Sequence, residues 1–328
     1  MIEGTGTEET ATTRPRTGFV RRAVIDVGTN SIKLLVADVH GSEVSPVLEE
    51  SEQTRLGQGF YETQLLQPDA IRSTAEAVAG FARRARELSA QAIRVFATSA
   101  ARDARNPQDL TRAIKQTAGL ETEIVSGDQE AGWVFLGVAS DPRFGARPML
   151  ILDVGGGSTE FILGEGCERH HQKSYRIGSV RLVERLRLGD PPGEAALARC
   201  RAELRAFLQE QVVPDLLPAL KRMGPGAVQL VGTGGTVTIL ARIGAALEHF
   251  DRAQIEAVSL TREHVRVEVE RQWRMTLEER RQIPGMPGKR ADIFLTGIAI
   301  YEAAMESFGF DTLHVSTRGL RFGAVLDP

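Results

Sequence analysis

The chain has 328 residues, 42% hydrophobic and 25% charged, a globular composition whose length favours two domains over a single core. Its net charge of −3 supplies no basic excess for a nucleic-acid partner. Two distant cysteines, Cys167 and Cys200, form neither a disulfide framework nor a zinc-ligand spacing and fit a reducing cytoplasm. No apolar run approaches the roughly 18 residues of a membrane span, so no membrane association is expected. His170-His171 reads as a solvated turn rather than a metal site.

Residues 1–18, rich in Thr, Glu and Gly, are expected to form a disordered tail without signal-peptide character. Ordered structure is expected from Phe19. Ala23-Val24-Ile25 is a short apolar run ending in Asp26-Val27-Gly28-Thr29-Asn30-Ser31, followed by Ile32, Leu34 and Val36 alternating with Lys33, Leu35 and Ala37. The pattern predicts strand, tight turn, strand. Arg55-Leu56-Gly57-Gln58-Gly59 reads as a loop. Residues 68–89 carry a helical period, with Pro68 near the start. Ile93–Ala97 is a buried strand opening onto Thr98–Asn106, where Arg102 is the better placed of two arginines for a ligand beyond the strand end. Glu123–Val125 is a short strand. A helix follows, with Asp128, Gln129 and Glu130 in its first turn, favourable against the helix dipole.

Pro142 to Pro148 reads as a turn between lobes, and the boundaries expected are 1–18 tail, 19–140 lobe I and 141–328 lobe II. Met149–Leu152 then leads into Asp153-Val154-Gly155-Gly156-Gly157-Ser158-Thr159-Glu160-Phe161. Three glycines permit a close ligand approach to the main chain. Their N–H groups, with the hydroxyls of Ser158 and Thr159, can line an anion-binding concavity. An acid facing a phosphate pocket repels the ligand unless a cation lies between, which makes Asp153 a candidate ligand for hydrated Mg²⁺. This stretch repeats the earlier one as Asp-Val-Gly-x-x-Ser, from Asp26 and from Asp153. Two such copies, about a domain apart, suggest related lobes facing a shared phosphate site.

Ser179-Val180-Arg181 leads into a helix, and residues 194–221 form a helix pair broken near Pro214. Val228–Val231 opens onto Gly232-Thr233-Gly234-Gly235-Thr236 and a helix from Val237, a strand–turn–helix arrangement suited to an anion. It is not a Walker loop, because no GxxxxGK[ST] occurs. Residues 261–283 read as an exposed helical region. Lys289-Arg290-Ala291-Asp292 opens the apolar helix Ile293 to Met305. A last strand at Leu313–Ser316 precedes Thr317-Arg318-Gly319-Leu320-Arg321-Phe322-Gly323.

In order and spacing, AVIDVGTNSIKLLVADV, RLGQG, ATSAARDARN, VSGDQEA, LILDVGGGSTEFILGEG, VGTGGT, KRADIF and VSTRGLRFG resemble the exopolyphosphatase / guanosine pentaphosphate phosphohydrolase family, within the actin-like ATPase-fold superfamily. The resemblance runs from about Ala23 to Leu326. It implies an α/β fold of two actin-like, ribonuclease H-like lobes around a cleft. It also implies a general base at Glu130, a metal or water-aligning carboxylate at Asp153, and Asp26 in the equivalent place of the first lobe. Phosphate contacts are implied for Thr29, Asn30 and Ser31, for Gly155, Gly156, Gly157, Ser158 and Thr159, and for the Gly234-Gly235-Thr236 turn. Lys33 stands where relatives often carry Arg, a point charge in place of a fork. Arg102 and Arg290 match basic positions that meet the anionic chain. Gln129 replaces the first of two acids common in the family. Longer relatives append a helical domain after the position where this sequence stops, so a short-form member is expected.

The reading at this level is a Mg²⁺- or Mn²⁺-dependent hydrolase of terminal phosphoanhydrides, acting on polyphosphate or guanosine pentaphosphate, cytoplasmic and dimeric as relatives commonly are. A small-molecule kinase of the same superfamily, a non-catalytic guanosine tetra- or pentaphosphate sensor and an actin-like filament protein remain as alternatives.

Overall fold

The computed structural model describes residues 18–224 and 226–327. The expected tail, but for its last residue, lies outside them. The first sheet contains β1 (Val20–Val27), β2 (Ile32–His40), β3 (Glu43–Glu52), β4 (Ala92–Ala97) and β5 (Thr122–Ile124), in the order β3-β2-β1-β4-β5. The second contains β6 (Met149–Val154), β7 (Thr159–Glu165), β8 (Glu168–Tyr175), β9 (Gln229–Thr233), β10 (Ser259–Thr261) and β11 (Thr312–Val315), in the order β10-β11-β9-β6-β7-β8. Each sheet therefore starts with an antiparallel meander, β1-β2-β3 or β6-β7-β8, and adds parallel strands beside its first member, the second sheet ending in β10, antiparallel to β11. This is the duplicated α/β architecture implied by the two Asp-Val-Gly copies.

Both faces of each sheet are covered, so β1, β2 and β6 are buried almost throughout. On one face of the first sheet, Ile25, Val27, Leu34 and Val36 pack against Val78, Phe81 and Ala82 of the helix Pro68–Glu87. On the other, Val24, Leu35 and Phe96 meet Phe322 and Val325 of the helix Leu320–Leu326. The second sheet packs Leu150, Leu152, Phe161 and Leu163 onto Leu197 and Leu204 of Gly193–Phe207 and onto the helix Ala291–Phe308. Its opposite face sets Met149, Ile151 and Ile162 against Ala131, Val134 and Phe135 of the helix Gly127–Ala139.

Two helices cross between the sheets. Gly127–Ala139, which follows the first sheet, lies on the second, and Leu320–Leu326 returns to the first. They touch each other through glycine: a Cβ on Gly137 would lie 2.2 Å from the Gly319 carbonyl oxygen, and one on Gly323 would overlap the Trp133 carbonyl. Trp133 Nε1 also donates to Asp327 Oδ2 at 2.8 Å.

His170 and His171 lie within β8, not in a turn, and the hairpin reverses at Gly166 and Cys167. Edge strands β3 and β8 were not anticipated, because exposed residues such as Glu43, Glu52, Glu168 and His170 hide the strand alternation. Residues 194–221 run as Gly193–Phe207, a π-helical turn Leu208–Val212 and Val213–Met223. The wider turn accommodates Pro214, which cannot donate into a regular helix. Among the described residues no helix is long and apolar enough to cross a membrane.

Candidate active site

The two Asp-Val-Gly turns close in the same way. Gly28 N–H donates to the Ser31 carbonyl at 3.1 Å, and Gly155 N–H donates to the Ser158 carbonyl at 3.0 Å. The remaining carbonyls of each turn are taken from behind. In the second, the Gly155 carbonyl accepts Ser179 N–H at 3.0 Å, the Gly156 carbonyl accepts Val180 and Arg181 N–H at 2.9 and 3.1 Å, and the Gly157 carbonyl accepts Arg181 Nε at 2.9 Å. A trans peptide sets its N–H opposite its carbonyl. Holding these three carbonyls toward the helix Ser179–Leu186 therefore aims the N–H groups of Gly156, Gly157 and Ser158 the other way, a nest for an anion.

The loop Arg55–Gly59 serves the first turn in the same manner. Gly57 N–H donates to the Thr29 carbonyl at 2.7 Å and Arg55 N–H to the Asn30 carbonyl at 2.9 Å. Gly57 sits so close that a Cβ there would lie 2.3 Å from Thr29 Cγ2. Asn30 is fixed by its side chain, with Gln53 donating to its Oδ1 at 3.0 Å.

Across the cleft the turns meet. A Cβ on Gly156 would lie 3.0 Å from Thr29 Cβ, and one on Gly157 would lie 2.5 Å from Ser99 Oγ and 2.9 Å from Thr29 Oγ1. Between them is a cavity of about 510 Å³. Asp26, the Thr29–Ser31 turn, Lys33, Asp153 with Gly155–Ser158, the Gly234–Thr236 turn and Arg290 all line it, together with Glu130. Thr159 and Arg102 do not. Thr159 is fully buried and donates to the Ile177 carbonyl at 2.6 Å. Arg102 donates to Glu130 Oε2 at 2.7 Å and to the Val125 carbonyl at 3.1 Å, so it holds the acid rather than facing the cavity.

Glu130 reaches the cavity from the first turn of Gly127–Ala139, whose N-cap Ser126 accepts Gln129 N–H at 3.1 Å. Burial pushes its carboxyl up to about 7, opposed by Arg102 and assisted by the charges of Asp26 and Asp153. Burial likewise raises Asp153 to about 6, against the pull of Lys33. Asp26 is raised by burial and pulled back by Lys33 and Arg321. Lys33 is lowered by burial and raised by the two aspartates.

Sequence reasoning passed over Glu160. It is 2% exposed, accepts Ser158 Oγ at 2.9 Å and Ser174 Oγ at 2.7 Å, and is pushed well above the usual carboxylate range by burial and by Glu130 and Asp153. The available signal was register. A tight turn between β6 and β7 sets Asp153 directly opposite Glu160, as the first turn sets Asp26 opposite Lys33. Lobe I thus pairs its aspartate with a cation, and lobe II pairs its own with a second acid.

Arg321 also went unassigned. Arg321 lines the cavity, donating to the Leu34 carbonyl at 2.7 Å and pairing with Glu49 at 3.1 Å. Arg290 approaches Ser31 Oγ at 3.5 Å, and its guanidinium fills the space beside Gly235. Gly234, at φ 86°, lies against the Asp153 carboxylate, where a Cβ would come within 2.2 Å of Oδ1.

No cluster of three or more His, Cys, Asp or Glu side chains has metal-binding geometry among the described residues. The donors nevertheless suit a hydrated hard cation, which takes one or two carboxylates and completes its shell with water and phosphate oxygens. Asp26 Oδ1 is buried without a hydrogen-bond partner, and Asp153 lines the same cavity.

The model of the Ppx/GppA phosphatase family matches residues 35–328. Exopolyphosphatase 2 of Mycobacterium tuberculosis is 32% identical over 322 residues, covering 94% of this chain and 98% of that protein. The guanosine-5'-triphosphate,3'-diphosphate pyrophosphatase of Vibrio cholerae is 28% identical over 93% of this chain, which spans 58% of that protein. Among solved structures, an exopolyphosphatase from Cytophaga hutchinsonii superposes with a TM-score of 0.81 at 27% identity, covering 94% of this chain and 98% of that one. The Aquifex aeolicus family member gives 0.76 at 29% identity, covering 94% and 97%. Matched by the family model over most of its length, and 32% identical to a relative along nearly the whole of both chains, the chain belongs to the Ppx/GppA phosphatase family.

Proposed function

We infer that this cavity hydrolyses the terminal phosphoanhydride bond of inorganic polyphosphate, and of guanosine pentaphosphate, which ends in the same group. The observation that carries the reading is Glu130: a buried carboxyl, titrating near neutrality, fixed by Arg102 beside two facing anion turns. A pure binding pocket for polyanions has no use for a buried acid whose ionised form repels its ligand. A base that must take a proton at neutral pH does.

Phosphoryl transfer is mainly a matter of positioning and charge neutralisation. The N–H groups of the two turns, with the hydroxyls of Thr29 and Ser31, hold the terminal phosphate between the lobes. Lys33 and Arg290 offset the charge of the next phosphates. Glu130 Oε1 or Oε2 accepts the proton of the attacking water, and Arg102 stabilises the carboxylate beforehand. Asp153 and Asp26 would hold a Mg²⁺ or Mn²⁺ ion, which when bound supplies charge neutralisation at the phosphate oxygens.

The test is phosphate release by the purified protein with Mg²⁺, using long-chain polyphosphate and guanosine pentaphosphate in parallel. Multiple turnovers on either substrate support the reading. Tight binding of both without phosphate release overturns it in favour of a sensor.

A further inference from the structure

The stretch Ser179-Val180-Arg181, which holds the second turn from behind, also reaches across the cleft: Arg181 touches both lobes. From the first turn of Ser179–Leu186 its Nε donates to the Gly157 carbonyl at 2.9 Å. Its Nη2 pairs with Asp103 Oδ2 of the opposite lobe at 2.8 Å. Its guanidinium carbon lies 4.3 Å from the centroid of the Tyr61 ring, also opposite. Fork and face are used together, which only a planar guanidinium permits. Asp103 ends the short helix Ser99–Asp103, whose Ser99 lines the cavity and whose Arg102 holds Glu130. One side chain therefore joins the second phosphate turn to the element that carries the base's partner.

The surroundings reinforce this seam. Glu184, on the same helix, accepts Gly59 N–H at 2.8 Å and Tyr61 N–H at 3.4 Å. The outer pairs Arg187–Glu62 and Arg176–Asp103 involve more exposed arginines and contribute little. Arg181 and Asp103 are 19% and 12% exposed, shielded enough for their pair to count. The seam also leaves no room at the turn, since a Cβ on Gly157 would lie 2.5 Å from both Ser99 Oγ and Tyr61 Oη. Polar contacts of this kind, rather than one continuous apolar core, suit bodies that separate and rejoin.

We propose that Arg181 is a positioning residue: it holds the lobes closed over the terminal phosphate and, through the Gly157 carbonyl, keeps the Ser158 N–H aimed at it. The kinetic consequence rests on the hydrolase reading above; the conformational one does not. Breaking the Arg181–Asp103 pair lowers the fraction of closed molecules, and apparent affinity falls by that fraction. Saturating substrate repopulates the closed state, so kcat is spared.

Nitroxide labels on the native, exposed Cys167 of the second lobe and on Gln108→Cys, at an exposed position of the helix Pro107–Ala118 of the first, report the lobe separation by double electron–electron resonance; buried Cys200 stays unlabelled. Arg181→Met and Asp103→Asn are expected to lengthen and broaden the distance distribution, and inorganic tripolyphosphate to restore it. KM for polyphosphate is expected to rise about tenfold or more in both; kcat is expected to change less than about threefold in Asp103→Asn, which keeps the Gly157 bond, and to fall further in Arg181→Met, which loses it. Arg181→Lys, which keeps the pair with Asp103 and loses the Gly157 bond, is expected to fall between. Distributions in Arg181→Met and Asp103→Asn that match the unsubstituted protein overturn the proposal whatever the kinetics. Should Arg181→Met fail to fold, the milder Asp103→Asn decides alone. A protein that hydrolyses neither substrate removes the functional reading and leaves the distance test to decide the latch.

Discussion

At the scale of single residues, the acids are not interchangeable, although all sit in one cavity. Glu130 has a guanidinium at 2.7 Å, Asp26 has Lys33 across the strand pair, and Glu160 has only hydroxyls. This ordering is the argument for the proton-transfer role proposed for Glu130. Glu130→Gln is expected to cut the turnover rate by roughly 10²–10⁴-fold with an unchanged circular dichroism spectrum, and undiminished turnover would remove Glu130 from the chemistry. Because only the ionised carboxyl accepts a proton and burial holds it near 7, kcat/KM is expected to fall about tenfold per unit on the acid side of that value. Stability moves the opposite way. The folded protein keeps the Glu130 proton between the ordinary carboxyl value of 4.5 and about 7, whereas the unfolded chain releases it. Its contribution is therefore complete below 4.5 and lost as the pH rises through 7. Relative to Glu130→Gln, the unsubstituted protein is expected to lose on the order of 2 kcal/mol between pH 5 and pH 8, read from urea midpoints at each pH. Asp26, Asp153 and Glu130 were visible in the sequence because each ends or opens an element beside a turn motif. Glu160 was not, since its meaning depends on which residue it faces across the hairpin.

At the scale of elements, glycine governs how closely backbones approach. Gly57 presses the Arg55–Gly59 loop onto Thr29, and Gly137 and Gly323 let two helices cross almost backbone to backbone. Gly323→Ala places a methyl group against the Trp133 carbonyl, so the helices must separate. Its cost is expected to be at least about 2 kcal/mol in urea denaturation, in the range of overpacked cores. Activity is expected to fall with it, because Gly127–Ala139 also carries Glu130. A value within about 0.5 kcal/mol of the unsubstituted protein, the range of neutral surface changes, would show that the crossing is loose. The strands and turns around these glycines were legible from apolar runs bounded by Asp and Gly. Edge strands β3 and β8 were not, because a partly exposed strand carries charges on positions that a buried one fills with Val or Leu.

At the scale of the whole molecule, two sheets of like topology face each other with an unequal charge balance. Lobe I sets Lys33 opposite its aspartate, and lobe II sets Glu160 opposite its own. The excess of acid facing a polyanion is the physical argument for a divalent cation at Asp153 and Asp26. Removal of divalent metal by chelation is expected to abolish phosphate release, and added Mg²⁺ or Mn²⁺ to restore it. Full activity in protein shown to be metal-free would leave Asp153 an electrostatic role only. Leu320–Leu326 returns to the first sheet, remote in sequence, and Gly127–Ala139 packs on the second sheet while its Trp133 reaches the core of the first.

The sequence by itself determined the duplicated strand–turn–strand plan, the glycine turns and the principal acids. Those features are local: a short run of apolar residues, a glycine turn and one carboxylate specify them without reference to the rest of the chain. Only the tertiary structure decided that Arg102 grips Glu130, that Glu160 completes the acid group and that Arg181 spans the seam. Each of those depends on residues from separate elements meeting at hydrogen-bonding distance. That meeting is set by strand register and by helices crossing between sheets, and neither leaves a periodic trace in the order of the amino acids.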